Sequence, residues 1–329
     1  MSKERIIRRV PLDEKSLIIN FLNENWGSMH PLVNNETLFN YYYVDGDMIN
    51  FYISCEEEKI VAVCGYIKCS EGENSDIWIS IWCAKKGKNG AGLELMAAMK
   101  ELTGAKVMSC NNIRENTMPF YTFLGYHPDK LRHYYRLQNR EIYKIAKIKN
   151  KNIPFSPALP DVNLIKCSDI SQVKEAFVIP SDLKPQKDYW YIDKRYFKYP
   201  HYEYKVYAVN YGGEKKAKCL VVFRVNESDE GKVLRLVDFI GKQDDFILLS
   251  GQIDPLLEQF DCEYCDMYSF GVDGEKAGFI LRDDEDENII PNYLNPLLQK
   301  NIDYFFFTTD PHSFTMFKAD GDQDRMNLG

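Results

Sequence analysis

The segment Lys85-Lys-Gly-Lys-Asn-Gly-Ala-Gly92 combines residue types and spacing that suit anion chemistry. It follows an alternating apolar run over residues 76–83 and precedes residues 93–102, in which Leu95, Met99 and Leu102 recur at helical spacing. Glycines ahead of a helix let an anion approach the first-turn N–H groups, which have no partner within the helix and sit at the positive end of its dipole. Lys85, Lys86 and Lys88 add charge of the same sign, so the expected ligand carries phosphate. Gly87-x4-Gly92 runs into Leu93 and Glu94 rather than Lys and Ser or Thr, which excludes a P-loop. Gly90-Ala-Gly92 lacks the third glycine of a dinucleotide fingerprint.

The elements that must position this loop follow from periodicity. Residues 5–10 read as a strand, 13–25 and 36–44 as helices, and 49–55 with 59–68 as a hairpin turning at Glu56-Glu57-Glu58. Both faces of residues 76–83 are apolar, as in a central strand. Gly104 ends the helix that follows, 106–110 reads as a strand, 116–124 as a short helix with Pro119 in its first turn, and 132–137 as a last strand. A basic stretch then runs into Pro154, Pro157 and Pro160, the composition of a linker. The second half repeats the rhythm, with a helix at 170–177, strands at 204–210, 217–225 and 232–240, a helix at 253–260, and strands at 264–270 and 303–308. The expectation is an α/β (α+β) chain with domains at 1–140 and 161–329 joined by a linker at 141–160.

Composition narrows the function. The 329 residues are 45% hydrophobic and 27% charged, as in globular chains, and no window approaches the run of roughly 18 apolar residues that a membrane span needs. Residues 1–150 hold 20 Lys+Arg against 18 Asp+Glu, and residues 151–329 hold 21 against 31, so the net charge of −8 lies in the second half. An acidic half without a basic stripe argues against nucleic acid. Nine cysteines at irregular spacing, and an N-terminus without an apolar signal region, point to reduced thiols in the cytoplasm. No metal is expected: Cys262-x-x-Cys265 has no second pair, and Asp320-x-Asp322-x-Asp324 lacks the glycine and terminal glutamate of a calcium loop.

The order of meander, central strand, glycine loop, helix, strand and Asn116-Thr-Met-Pro-Phe-Tyr-Thr-Phe-Leu-Gly-Tyr126 resembles the GNAT family of acyl-coenzyme A transferases over roughly residues 5–138. The family loop, Arg/Gln-x-x-Gly-x-Gly/Ala, is matched by Gly87-Lys-Asn-Gly90-Ala-Gly92, with Gly87 where a basic or amide residue is usual. The family helix motif is matched by Phe120-Tyr121 and Leu124-Gly125-Tyr126. The resemblance implies two GNAT-like domains in tandem, each a mixed, largely antiparallel sheet flanked by helices, and acetyl-CoA or another acyl-CoA as the donor. It places Trp82, Cys83, Lys86, Gly87, Lys88, Asn89, Gly90, Ala91 and Gly92 at the cofactor, with Lys86 or Lys88 substituting for the missing basic residue. Tyr121 falls where the family protonates the leaving thiolate, and a backbone N–H near Trp82 and Cys83 would face the oxyanion.

The base is open among Asp76, Glu73, His30 and a relayed water. In the second half, Gly241-Lys-Gln-Asp-Asp stands where a phosphate loop should be, and its acids would repel pyrophosphate, so no cofactor is expected there. Asp238, Asn292, Tyr293, Asp320, Asp322, Asp324 and Arg325 are the candidates for acceptor binding, and segments 288–293 and 318–325 resemble tandem GNAT-like proteins of bacterial surface-polysaccharide gene sets. The implied activity is N-acylation of a small amine, an amino sugar or its nucleotide-linked form. An aminoacyl-tRNA-dependent transferase of the peptidoglycan type and a non-catalytic carbohydrate-binding scaffold stand as alternatives.

Overall fold

Alternating apolar residues build the strands of this chain, and apolar residues three and four apart build its helices. Chain order is β1 (Ile6–Pro11), α1 (Lys15–Asn25), α2 (Pro31–Asn34), α3 (Glu36–Tyr43), β2 (Val44–Asp45), β3 (Met48–Glu56), β4 (Lys59–Lys68), β5 (Ile77–Ala84), α4 (Ala91–Thr103), β6 (Met108–Ile113), α5 (Met118–Phe123) and β7 (His127–Lys130). There follow β8 (Arg132–Leu137), β9 (Val162–Cys167), α6 (Ile170–Ala176), α7 (Tyr189–Ile192), β10 (Lys205–Tyr211), β11 (Cys219–Ser228), β12 (Gly231–Ile240), α8 (Ile253–Gln259), β13 (Cys262–Phe270), β14 (Ile280–Arg282), β15 (Phe305–Thr308) and β16 (Met316–Phe317). The structure, a computed structural model, describes residues 4–27, 30–88 and 90–325.

The chain forms two units that are not consecutive in sequence. Unit 1 comprises Met1–His127, Phe307–Asp310 and Gly321–Gly329, and unit 2 comprises Pro128–Phe306 and Pro311–Asp320. The first sheet runs β1-β3-β4-β5-β6-β15-β7 with β2 on β3, and the second runs β14-β8-β13-β12-β11-β10-β9 with β16 on β13. The division at 1–140 and 161–329 is thus corrected. Residues 132–137, expected to close the first sheet, pair instead with β13, Tyr135 opposite Asp266. Residues 305–308, expected to close the second, lie beside β6 in the first.

The segment 141–160 is no free linker. Ile145 and Ala146 are buried against Leu137, Val233 and Tyr264. The Glu263 carboxylate, itself 2% exposed, accepts the backbone N–H groups of Ile145 and Ala146 at 3.0 and 3.1 Å. A buried carboxylate fastened to several N–H groups holds the strap as secondary structure would.

In unit 1, β5 is central and its partners differ on its two sides. Toward β4 the ladder is antiparallel, and one residue, Gly65, faces two, Ser80 and Ile81, because Cys64 pairs with Trp82 and Tyr66 with Ile79. Gly65 is itself closely packed from β3: a Cβ there would lie 2.5 Å from Phe51 Cζ. Toward β6 the ladder is parallel and consists of Ile77 with Met108 and Trp78 with Ser109. Beyond Trp78 and Ser109 the strands continue to Ala84 and Ile113 without pairing to each other.

Unit 2 repeats the arrangement with one difference. β12 and β13 pair in parallel from Lys232 with Cys262 to Arg235 with Asp266, and then part. Here the chain fills the interval: β16 pairs with β13, and Ala319 N–H donates to Val237 O of β12 at 2.9 Å. An intervening strand, rather than the acids near Gly241, is what closes this slot.

Candidate functional site

The open interval in unit 1 ends at the glycine loop. Gly87 and Gly90 both have φ of +82°, a left-handed conformation that a side chain disfavours. Gly90 caps α4, whose first turn starts at Ala91. Gly92 is required by proximity, since a Cβ there would lie 3.0 Å from Ala84 Cβ and 3.3 Å from Trp82 Nε1. Trp82 Nε1 donates to Gly92 O at 2.9 Å, which ties the strand end to the helix start. First-turn N–H groups of α4 therefore sit on the C-terminal end of β5, beside the interval where β5 and β6 no longer pair with each other.

The charges around this loop differ from expectation. Lys88 does not stand free for an anion: its Nζ is bonded to the carboxylate of Glu56. Arg5, which carries no motif, binds Glu56 at 2.9 Å and Glu94 at 2.7 Å, and its guanidinium lies 3.8 Å from where a Gly90 Cβ would be. Lys85 and Lys86 are exposed, and Asn89 lies outside the described residues. Burial pushes the Cys83 thiol up to about 11, so it is no nucleophile at neutral pH.

Tyr121 is the polar side chain on α5 that faces inward. It is 5% exposed, stacks on Phe307 with ring centroids 4.3 Å apart, and lies 6.2 Å from the Trp82 ring. Burial raises its pKa well above the ordinary tyrosine value, and the neighbouring Cys110 and Cys64 add to the shift against a small opposing effect of Thr117. The phenol stays protonated, as a proton donor must. Phe307 arrives from β15 and could not be paired with Tyr121 from sequence.

A second cluster in unit 1 is built from residues far apart in the chain. His30 caps α2 by accepting the Leu32 N–H on Nδ1 at 3.3 Å, while its Nε2 lies 3.3 Å from Arg325 Nη2. Arg325 Nη1 donates to Asp322 Oδ2 at 2.8 Å, and Gln323 Nε2 donates to Asp322 Oδ1 at 2.9 Å. Trp26 packs on His30 at 4.2 Å between ring centroids. The Tyr43 hydroxyl reaches Ser80, at the β5 bulge, at 2.6 Å, and the Asp322 charge acts on it.

The surroundings of His30 disfavour its protonated form. Burial and then the Arg325 charge, against an opposing Asp322, push it down to about 4. Donors face both of its nitrogens, so added protons would meet N–H groups on either side. We expect an NMR titration midpoint near 4, rising toward 6.5 in Arg325→Gln. Because the unfolded histidine takes up a proton near 6.5 and the folded one does not, stability falls as pH drops from 6.5 toward 4.

Other predicted residues are placed elsewhere. Asp76 is at the paired end of β5, roughly 20 Å of strand from Trp82, and its Oδ1 accepts the Val107 N–H at 2.7 Å, so it locks β5 to the turn before β6. Glu73 is on an exposed turn. Asp238 and Asp320, expected at the acceptor, are buried in unit 2 on Lys187, at 2.7 and 2.6 Å. Asn292 is buried, bonded to Tyr304 through its side chain and to Arg235 through its carbonyl at 3.0 Å, and the Tyr293 carbonyl accepts the Leu298 N–H at 3.0 Å. Asp322, Asp324 and Arg325 belong to unit 1, and Asp324 is buried at 1% exposure. The seven acceptor candidates are thus divided between the two units.

The fold is that of GNAT-like domains in tandem, two mixed sheets each flanked by helices. It is similar to a GCN5-related N-acetyltransferase from Anabaena variabilis, at 9% identity and a TM-score of 0.53 over 93% of this chain and 72% of that one. It is likewise similar to a GCN5-related N-acetyltransferase from Kribbella flavida, at 10% identity and 0.53 over 93% and 71%. No protein-family model matches the sequence, and no curated protein is similar to it. Among the described residues no group of three or more His, Cys, Asp or Glu could hold a metal ion, and no helix is long and apolar enough to cross a membrane.

Proposed function

We propose that unit 1 is an acyl-CoA-dependent N-acyltransferase acting on a small primary amine. The carrying observation is the interval between β5 and β6, which opens after Trp78 and Ser109 and ends on the glycine cap of α4. Two parallel strands that part would receive a pantetheine-like chain between them, and the first turn of α4 would offer N–H groups to a pyrophosphate. Gly87, Gly90, Ala91 and Gly92 would hold that group, with Lys85 and Lys86 beside it. The donor supplies an activated acyl carbonyl when bound.

The chain's own residues supply the remaining parts. The bulge at Ser80–Ile81 breaks the one-to-one register with β4, and a backbone N–H released there would meet an oxyanion. Tyr121, kept protonated by burial, would donate the proton that the leaving sulfur requires. The finer reading, acetyl transfer to an amino sugar or its nucleotide-linked form, would draw on Trp26, a residue type that packs on sugar rings, beside His30.

Calorimetric titration with acetyl-CoA tests the reading. Saturable binding is expected, and absence of heat at high micromolar ligand would remove it. Tyr121→Phe should bind acetyl-CoA as the wild type does while thiol release falls roughly 10²-fold or more. Turnover at the wild-type rate would remove Tyr121 as the acid.

A further inference from the structure

We infer that Asp322 is the general base of this site, taking the proton of the attacking amine. The inference deepens the acyltransferase reading and rests on it. The two carboxylates just before β5 are placed for other work, since Asp76 accepts the Val107 N–H at the paired end and Glu73 is on a surface turn.

Asp322 enters unit 1 from the far end of the chain. A Cβ on the preceding Gly321 would lie 3.5 Å from Trp78 Cβ, the last residue of β5 that pairs with β6. Gln323 Oε1 accepts from Asn112 Nδ2 of β6 at 2.8 Å. The segment thus passes from the β5 side to the β6 side, where the interval opens. The Asp322 charge acts on Tyr43, which is bonded to Ser80 at the bulge, and on Cys110 of β6, so the carboxylate lies near residues on both sides of the interval.

The carboxylate is 5% exposed and held in one orientation. Arg325 binds one oxygen and Gln323 the other, and these clamps are themselves set by His30 and Asn112. Each carboxylate oxygen has a further lone pair for a proton. As the amine nitrogen bonds the acyl carbon and the carbon–sulfur bond breaks, Asp322 takes the proton that the nitrogen sheds and Tyr121 gives one to the sulfur. Return of the proton from Asp322 to the tyrosinate through solvent restores both groups. Arg325 and His30 act as positioning residues.

Asp322→Cys with bromoacetyl-coenzyme A as the probe tests this without an acceptor. Mass spectrometry of the full chain should find the adduct at position 322, and prior saturation with acetyl-CoA should suppress it. Adducts confined to Cys83, Cys110 or other native thiols, in a variant that still binds acetyl-CoA, would overturn the assignment. A crystal structure of the wild-type chain with an inert thioether analogue of acetyl-CoA gives a second measurement that does not depend on the variant folding. It should place the Asp322 carboxylate within a hydrogen bond, or one water, of the space over the acyl carbon; a greater separation overturns the assignment. A wild-type chain that fails to bind acetyl-CoA removes the acyltransferase reading and this one with it, whereas binding without the adduct removes this one alone.

Discussion

Lys187→Met will destabilise unit 2 by about 3–5 kcal/mol, the usual cost of removing one partner of a buried ion cluster. Lys187 Nζ is 2.7 and 2.8 Å from the two oxygens of Asp238 and 2.6 Å from Asp320 Oδ1. Asp238 also accepts from the Tyr196 hydroxyl and the Phe239 N–H, and Asp320 accepts the Phe317 N–H at 2.8 Å. Without the ammonium, two carboxylates face each other in a space closed to water. Asp320 is tuned to this arrangement: burial raises it to about 7, Lys187 opposing and Asp238 adding to the shift.

The pH dependence follows. A folded pKa of about 7 against an ordinary 3.8 means that the native state keeps a proton that the unfolded chain has released, so this group's contribution falls as pH rises through that window. Removing Lys187 strengthens the bias. Urea unfolding should therefore find a larger deficit in Lys187→Met at about pH 8 than at about pH 5, where the buried carboxyl groups can be neutral. An equal deficit at both, or one below about 1 kcal/mol, would mean that water reaches the cluster.

Gly92→Val will weaken acetyl-CoA binding roughly 10–100-fold, the equivalent of the 1–3 kcal/mol that overpacking costs. A Cβ at position 92 is already at 3.0 Å from Ala84 Cβ and 3.3 Å from Trp82 Nε1, and valine adds two methyl groups to that space. The first turn of α4 must move off the end of β5, carrying its N–H groups with it. Gly92→Ala, which needs only a shift of a few tenths of an ångström, should lose much less. Calorimetry of the pair, with melting curves to confirm that both fold, checks the order; equal affinities for glycine and valine would place the anion elsewhere.

Much of the local structure is legible in the sequence. Strand 77–84, the glycine loop and helix 91–103 follow from alternation, turn chemistry and helical spacing, which are properties of neighbouring residues. Gly65 also carries a readable signal, because a lone glycine inside an apolar strand marks a bulge or a close approach. Sheet membership is not readable in this way. Residues 132–137 and 305–308 are both short and rich in aromatic residues, and nothing in either run says which sheet it completes.

The same limit applies to the site. Asp322 and Arg325 are recognisable as polar residues worth naming, yet their assignment to the second half follows from chain position, while the fold brings them to His30 in unit 1. Lys88 and Arg5 make the point for charge: equal as cations in sequence, they are set by Glu56, a residue of the hairpin. By itself the sequence determines two α/β halves and one glycine-rich turn ahead of a helix, because these depend on residues a few positions apart. The tertiary structure alone decides which strands complete each sheet, that residues 316–320 come between β12 and β13, and that Asp322 and Arg325 join His30 in unit 1, because hydrogen-bond pairing acts between residues tens to hundreds of positions apart.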